Sequence, residues 1–246
     1  MDFNSETMKG AHVSFALAAR LVQQEPDEAW VRTCIGQDLF GAAPFGMDDP
    51  AVAGGLERLS AWCGAAQADV AESTAAIRRE WLRLFVGLGT PEAPVWEAVY
   101  TEPEATMRGR STLAVRAAYR AWGLEFERKA HEPEDALGLM LAFCSFLMER
   151  EMEALEEGDE AAAAKAASSL ESFMAEHMLP WASAWRFLVQ NHAKSDYYRG
   201  VGELVFGLER AYVRRFGISC DPEDGTFSYP AGAQSAIEED ARPTKR

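Results

Sequence analysis

The sequence predicts an all-α protein, and three observations carry that prediction. Apolar residues recur at three- and four-residue intervals through most of the chain, as one buried face of a helix requires. No stretch alternates apolar and polar residues for long enough to demand a sheet. The composition, 48% hydrophobic and 26% charged over 246 residues, is that of a packed globular chain and too apolar for a disordered one.

The elements follow in order. Met8–Gln24 is a helix with Val13, Leu17, Leu21 and Val22 on one face. Its apolar start, after Lys9, superficially imitates a signal peptide. Asp2 and Glu6 spoil the basic region, though, and Arg20 interrupts the apolar run. Pro26-Asp27-Glu28 suits the first turn of a second helix carrying Trp30, Val31, Cys34 and Ile35. Gly41–Pro50 reads as a loop, Val52–Ala66 as a helix, and Ala68–Phe85 as another with Ile77, Trp81, Leu84 and Phe85 on one side. The glycines and prolines of Gly87–Trp96 cannot continue it. Helix returns over Ser111–Trp122 and stops at Gly123. After the charged connector Glu125–Glu132, Pro133 opens a helix through Leu137, Met140, Leu141, Cys144 and Met148, apolar on most sides and therefore central. The acidic Glu149–Glu160 reads as a solvated helix end and loop. Helices over Ala161–Met178, Trp181–Gln190 and Tyr197–Phe216 complete the set. The expected organisation is one multi-helix bundle over residues 1–220, with a possible hinge near 125–133, and a polar, disordered tail over 221–246. No period of 20–50 residues repeats, so no solenoid is expected.

Charge and motifs exclude several functions. The formal charge of −15 and pI near 4.7 oppose nucleic acid or an anionic membrane surface as partner and favour something cationic. The longest apolar run, Ala136–Met148, is far short of a membrane span. Cys34, Cys63, Cys144 and Cys220 are scattered, without metal spacing, and suit a reducing compartment; Cys144 reads as a buried thiol. The cytoplasm is the expected location. There is no phosphate loop, dinucleotide fingerprint, H-E-x-x-H or nucleophile elbow, and no His with a Glu three residues before it. No cofactor, metal or catalytic residue is assigned. A nucleotide-binding or enzymatic protein with a site assembled from distant residues remains the alternative.

Three constellations remain. Trp81, Leu84 and Phe85 lead into a proline-rich loop with Pro94, Trp96 and Tyr100, where large aromatics either fill core or line a groove. His131-Glu132-Pro133-Glu134-Asp135 places acids in the first turn of a helix, where they complement the macrodipole. Alternatively, Glu134 and Asp135 project into a cleft as a paired site for a guanidinium. Local sequence favours the first of these. His177-Met178-Leu179-Pro180-Trp181 is the third, its histidine more simply a packed or capping residue.

Taken in order, these motifs resemble the TorD/DmsD/NarJ family of redox-enzyme maturation chaperones. Trp81-Leu82-Arg83-Leu84-Phe85-Val86-Gly87 is like the family's aromatic-x-x-Leu-Phe-x-Gly, and Ala93–Tyr100 is like its A-P-P-W-x-S-V-Y. Gly109-x-Ser111-Thr112-Leu113, Glu132-Pro133-Glu134-Asp135, and His177-x-x-x-Trp181 with Tyr197-Tyr198-Arg199 follow in family order. Each is weak alone, but five in sequence are specific.

The resemblance implies a TorD-like helical chaperone that binds the twin-arginine signal peptide of a molybdenum-cofactor oxidoreductase. It implies contact with the mature enzyme as well, and either a monomer or a domain-swapped dimer. Carried over to this chain, the peptide-binding residues are Trp81, Leu84, Phe85, Pro94, Trp96, Tyr100, Gly109, Glu134 and Asp135. One departure is that the family's E-P-E-D-H ends here in Ala136. A twin-arginine leader, two guanidiniums before an apolar helix, asks for carboxylates beside Trp, Leu and Phe surface. The net charge steers a cationic leader inward at low salt.

Overall fold

Residues 3–87, 89–102, 109–125 and 133–218 are described by a computed structural model of the chain, from residue 5 onward with their side chains. The expected hinge segment (apart from its ends), His131, Glu132, Cys220 and the expected tail lie outside the described residues. Within them the only regular elements are helical: α1 (Phe3–Gln23), α2 (Glu28–Gly36), α3 (Pro50–Ala66), α4 (Val70–Trp81), α5 (Glu97–Thr101), α6 (Arg110–Ala121), α7 (Leu137–Glu157), α8 (Glu160–Phe173), α9 (Ala182–His192) and α10 (Asp196–Phe216). Two π-helical turns, Leu82–Val86 and Met174–Met178, prolong α4 and α8.

Local chemistry explains where half of the ten described helices begin. Asp27, Asp49, Asp69 and Asp159 each accept a hydrogen bond from a backbone N–H in the first turn of α2, α3, α4 and α8, and Ser195 does the same for α10. Pro50 stands in the first turn of α3, where its missing N–H costs nothing. Gly158 and Gly217, both at positive φ, end α7 and α10 in the left-handed conformation that suits glycine.

Packing places α7 centrally, with α1 along one side and α8 along another, while α10 lies against α3, α1 and α9. The α3–α10 contact is close because both helices present glycine. A Cβ on Gly55 would stand 2.7 Å from Leu204 N and 2.8 Å from Gly200 O. One continuous apolar core runs from Met8 to Ile218. Cys144 is fully buried within it, and Cys34 and Cys63 are free, buried thiols.

The structure departs from the expectation in two places. Helix α7 begins at Leu137 and not at Pro133, so Glu134 and Asp135 lie in the turn before it and not in its first turn. The acidic segment is, as expected, a helix end. Helix α7 runs on through it to Glu157, with Arg150 paired to Glu153 at 2.7 Å, and only Gly158 stops it. The proline-flanked stretch also contains a short helix, α5, that period alone did not reveal.

Candidate functional site

The proline-rich loop and the segment leading into α7 meet through backbone pairing. Leu137 N donates to Val95 O at 2.7 Å, and Glu97 N donates to Asp135 O at 3.1 Å. These bonds make an isolated antiparallel bridge between Trp96 and Ala136. On the other side, Ala93 N donates to Leu84 O at 2.8 Å, tying the loop to the π-helical turn after α4. Motifs dispersed over more than fifty residues therefore share one frame. Ala136, where the family pattern has histidine, is fully buried in that bridge.

Most of the sequence-selected residues form the inside of this frame. Leu84 and Phe85 are buried, and Phe85 lies parallel to Trp185 and edge-on to Tyr198. Tyr100 is buried, stacks on Trp181 with ring centroids 4.9 Å apart, and donates its hydroxyl to Pro94 O at 2.6 Å. Its phenol is held far above the ordinary value by burial alone. Trp96 is 9% exposed, and its Nε1 has no hydrogen-bond partner among the described residues. Of the two readings left open for these aromatics, the described structure gives core to Pro94, Trp96 and Tyr100. Trp81 is different: half-buried, it donates Nε1 to Val22 O at 3.1 Å and keeps part of its ring outside.

The two acids separate. Asp135 points inward, fully buried, and Oδ2 accepts from Ala98 N at 2.9 Å, capping the start of α5. Its Oδ1 and the hydroxyl of the adjacent Thr112 make no well-formed bond. Burial drives this carboxyl upward, and the Ala98 N–H and Thr112 oppose that only partly, so its pKa is raised. Glu134 points outward and is already engaged. Arg116 of α6 holds it in a two-bond fork, Nε to Oε1 at 2.6 Å and Nη2 to Oε2 at 2.9 Å. The expected paired anionic site is therefore, in this conformation, one outward carboxylate and one inward cap. Gly109 precedes α6, where Glu102 accepts from Ser111 N and Oγ at 2.9 and 2.7 Å; a Cβ at 109 would run into that carboxylate.

Beneath Asp135 lies a pairing the sequence did not reveal. Glu97 is almost fully buried and meets His177 Nδ1 at 3.1 Å, while His177 O accepts from Trp181 Nε1 at 2.5 Å. The histidine motif is thereby fastened to the loop motif. Burial pushes Glu97 up more than His177 pulls it down, so its pKa is raised. Glu80 likewise fastens the aromatic motif to α10, accepting from Lys194 N and, at 3.1 Å, from Ser195 N. Arg116, Glu97 and Glu80 were missed because their partners lie 18, 80 and 114 residues away and leave no spacing signal. Leu82 and Val86, four residues apart in the same turn, are each 43% exposed, which the motif pattern does not show.

Among the described residues no group of three or more His, Cys, Asp or Glu side chains is placed to hold a metal ion, and no helix is long and apolar enough to cross a membrane.

Residues 47–186 match the family model described as nitrate reductase delta subunit. The chain is 30% identical over 133 residues to the Tat proofreading chaperone DmsD of Salmonella typhimurium, covering 54% of this chain and 58% of that protein. It is 29% identical over 129 residues to the probable Tat proofreading chaperone DmsD of Haemophilus influenzae, covering 52% of this chain and 56% of that one. The matches thus span little more than half the length of these curated relatives.

Proposed function

The chain belongs to the nitrate reductase delta subunit family, which includes the TorD and NarJ proteins, and on that premise we propose that it is a chaperone for a twin-arginine signal peptide. In this reading it is not an enzyme. It binds the leader of a molybdenum-cofactor oxidoreductase in the cytoplasm, touches part of the mature subunit, and delays export until the cofactor is loaded. It works as a monomer or as a domain-swapped dimer, which the mass in solution distinguishes.

One observation supports this most. The loop and helix starts that carry the family motifs converge on a single frame, with an outward carboxylate at its edge. The nine residues carried over then divide their work. Leu84, Phe85, Pro94, Trp96, Tyr100 and Asp135 build the frame from within, and Gly109 leaves room for the Glu102 cap. Trp81 and Glu134 face the peptide. An arginine of the leader replaces Arg116 on Glu134, exchanging one bidentate guanidinium–carboxylate pair for another, so the carboxylate is never left bare. The apolar stretch of the leader lies on Trp81 with the exposed Leu82 and Val86.

The test is calorimetric titration of the whole chain with an Arg-Arg leader peptide at low salt. Glu134→Gln should weaken binding roughly tenfold, the size of one charge-assisted pair. Unchanged affinity would remove Glu134 from the reading, and no binding by the unaltered chain would remove the reading itself.

A further inference from the structure

Between α6 and α8 lies an open cavity of ~270 Å³ that the family motifs do not account for. Phe143 and Phe173 form its floor, Trp122 stands on the α6 side, and Ser172, Glu176 and His177 stand on the other. Glu176 is exposed and engages in no hydrogen bond or ion pair among the described residues. His177 gives Nδ1 to Glu97, so only its other ring nitrogen is left for an occupant. The lining is thus aromatic and hydroxyl-bearing, with the unpaired carboxylate of Glu176 at the mouth.

That combination suits a guanidinium, which stacks flat on an aromatic ring while its N–H groups reach a carboxylate. Lys165 Nζ already stands 4.7 Å from the ring centroid of Trp122, so Phe143 and Phe173 are the aromatic surface left for an incoming cation. Position narrows the occupant further. Tyr119 donates its hydroxyl to Glu134 O at 3.0 Å, and its ring meets Phe143 at 4.7 Å and Phe173 at 6.0 Å between centroids. A single tyrosine therefore separates the residue proposed to take one leader arginine from the cavity floor.

We infer that this cavity is the second arginine subsite. Glu134 takes one guanidinium of the pair, and the α6–α8 cavity takes its neighbour against Phe143 and Phe173 with Glu176 as counter-charge. The inference rests on the proposed leader binding and assigns it residues that the family motifs leave out.

The test uses the whole chain, an Arg-Arg leader peptide, and two further peptides with either arginine replaced by lysine, titrated at low salt. Glu176→Gln removes the counter-charge, and Ser172→Phe fills the cavity from an exposed helix position. Glu171→Gln, exposed and outside the lining, controls for net charge. Both cavity variants should lose roughly tenfold affinity for the Arg-Arg peptide, while the control changes little. For one of the two lysine peptides the loss caused by Glu176→Gln should shrink, because the arginine it served is gone. If the unaltered chain binds and both cavity variants bind equally well, the subsite is wrong and the chaperone reading stands. If the unaltered chain does not bind any of the peptides, both fall together.

Discussion

Glu209 should make this protein weaken as the pH rises towards 8. Its side chain lies within α10, 1% exposed, and neither carboxylate oxygen has a hydrogen-bond partner among the described residues. Burial pushes its pKa from 4.5 to about 8. Cys144 of α7 is coupled to it electrostatically, and burial and Glu209 hold that thiol well above its usual value, so it stays neutral. An acid whose pKa is higher in the folded state keeps its proton where the unfolded chain has already released one. Stability therefore falls across the window from 4.5 to about 8. At about 1.4 kcal/mol per pH unit, the loss reaches about 4 kcal/mol by pH 8, of which about 3 accrue above pH 5. Glu209→Met replaces the acid with an apolar side chain of similar length and removes that dependence, at a packing cost below about 1.5 kcal/mol. Urea unfolding followed by far-ultraviolet circular dichroism at pH 5, 6, 7 and 8 gives both curves. The gap between variant and wild type should widen by about 3 kcal/mol over that range. Parallel curves would mean that Glu209 is ionised and matched in the folded protein, which would refute the reasoning.

Three further outcomes follow from the same structure. Asp49 is fully buried, caps α3 and receives Arg210 and Arg214, so Asp49→Ala should cost about 3–5 kcal/mol in chemical denaturation by stranding both ends of that knot. Burial alone would raise its pKa, but Arg210, the Ala51 N–H and Arg214 outweigh it and leave it below 3.8. Its contribution is thus complete above about pH 4 and disappears on acidification through the lower folded value, which an acid titration of the helical signal should show for wild type and not for the variant. Gly55→Ala pushes a Cβ against the backbone of α10 and should cost about 1–3 kcal/mol, read as a lower melting temperature with unchanged helical content. Gly109→Ala displaces the Glu102 carboxylate from Ser111 and should cost about 1 kcal/mol; Glu102→Ala should cost the same, and the double variant little more, because both remove one cap.

What the sequence made legible was whatever repeats or stops locally. Helix α10 could be read because its apolar residues keep the helical period from Tyr197 to Tyr212, whereas the start of α3 at Asp49-Pro50 was hidden because both residues also suit a loop. The all-α class followed from the same signal. Helix α5 was hidden because five residues are too few to show a period. The start of α7 is misplaced at Pro133 because a proline followed by acids reads as a first turn, whereas backbone pairing of Asp135 and Leu137 with the loop holds that segment out of the helix. Motif residues could be selected, but their orientation could not. Nothing local distinguishes Glu134, which turns outward to Arg116, from Asp135, which turns inward to Ala98 N. That choice is made by α5 and α6, elements reached only through the fold.

The division between frame and edge changes how a binding defect in this protein should be read. Phe85, Tyr100 and Asp135 are buried and hold the aromatic loop to α7, α9 and α10, so replacing any of them leaves a cavity or an orphaned N–H within the site. Such a variant would lose peptide affinity whether or not the residue touches the peptide, and its loss would track unfolding. Glu134, Leu82 and Glu176 sit where a substitution costs little stability, since a partly exposed ion pair contributes only about 0.5–1 kcal/mol. An affinity loss at these positions with an unchanged melting temperature therefore reports contact. By the same reasoning, the −15 surface charge sets association rate and salt dependence, whereas selectivity for arginine over lysine must come from the forked pair at Glu134 and from any aromatic surface that a planar guanidinium can stack on. Raising the salt should accordingly slow binding of Arg-Arg and Lys-Lys leaders alike while leaving the ratio of their affinities nearly constant.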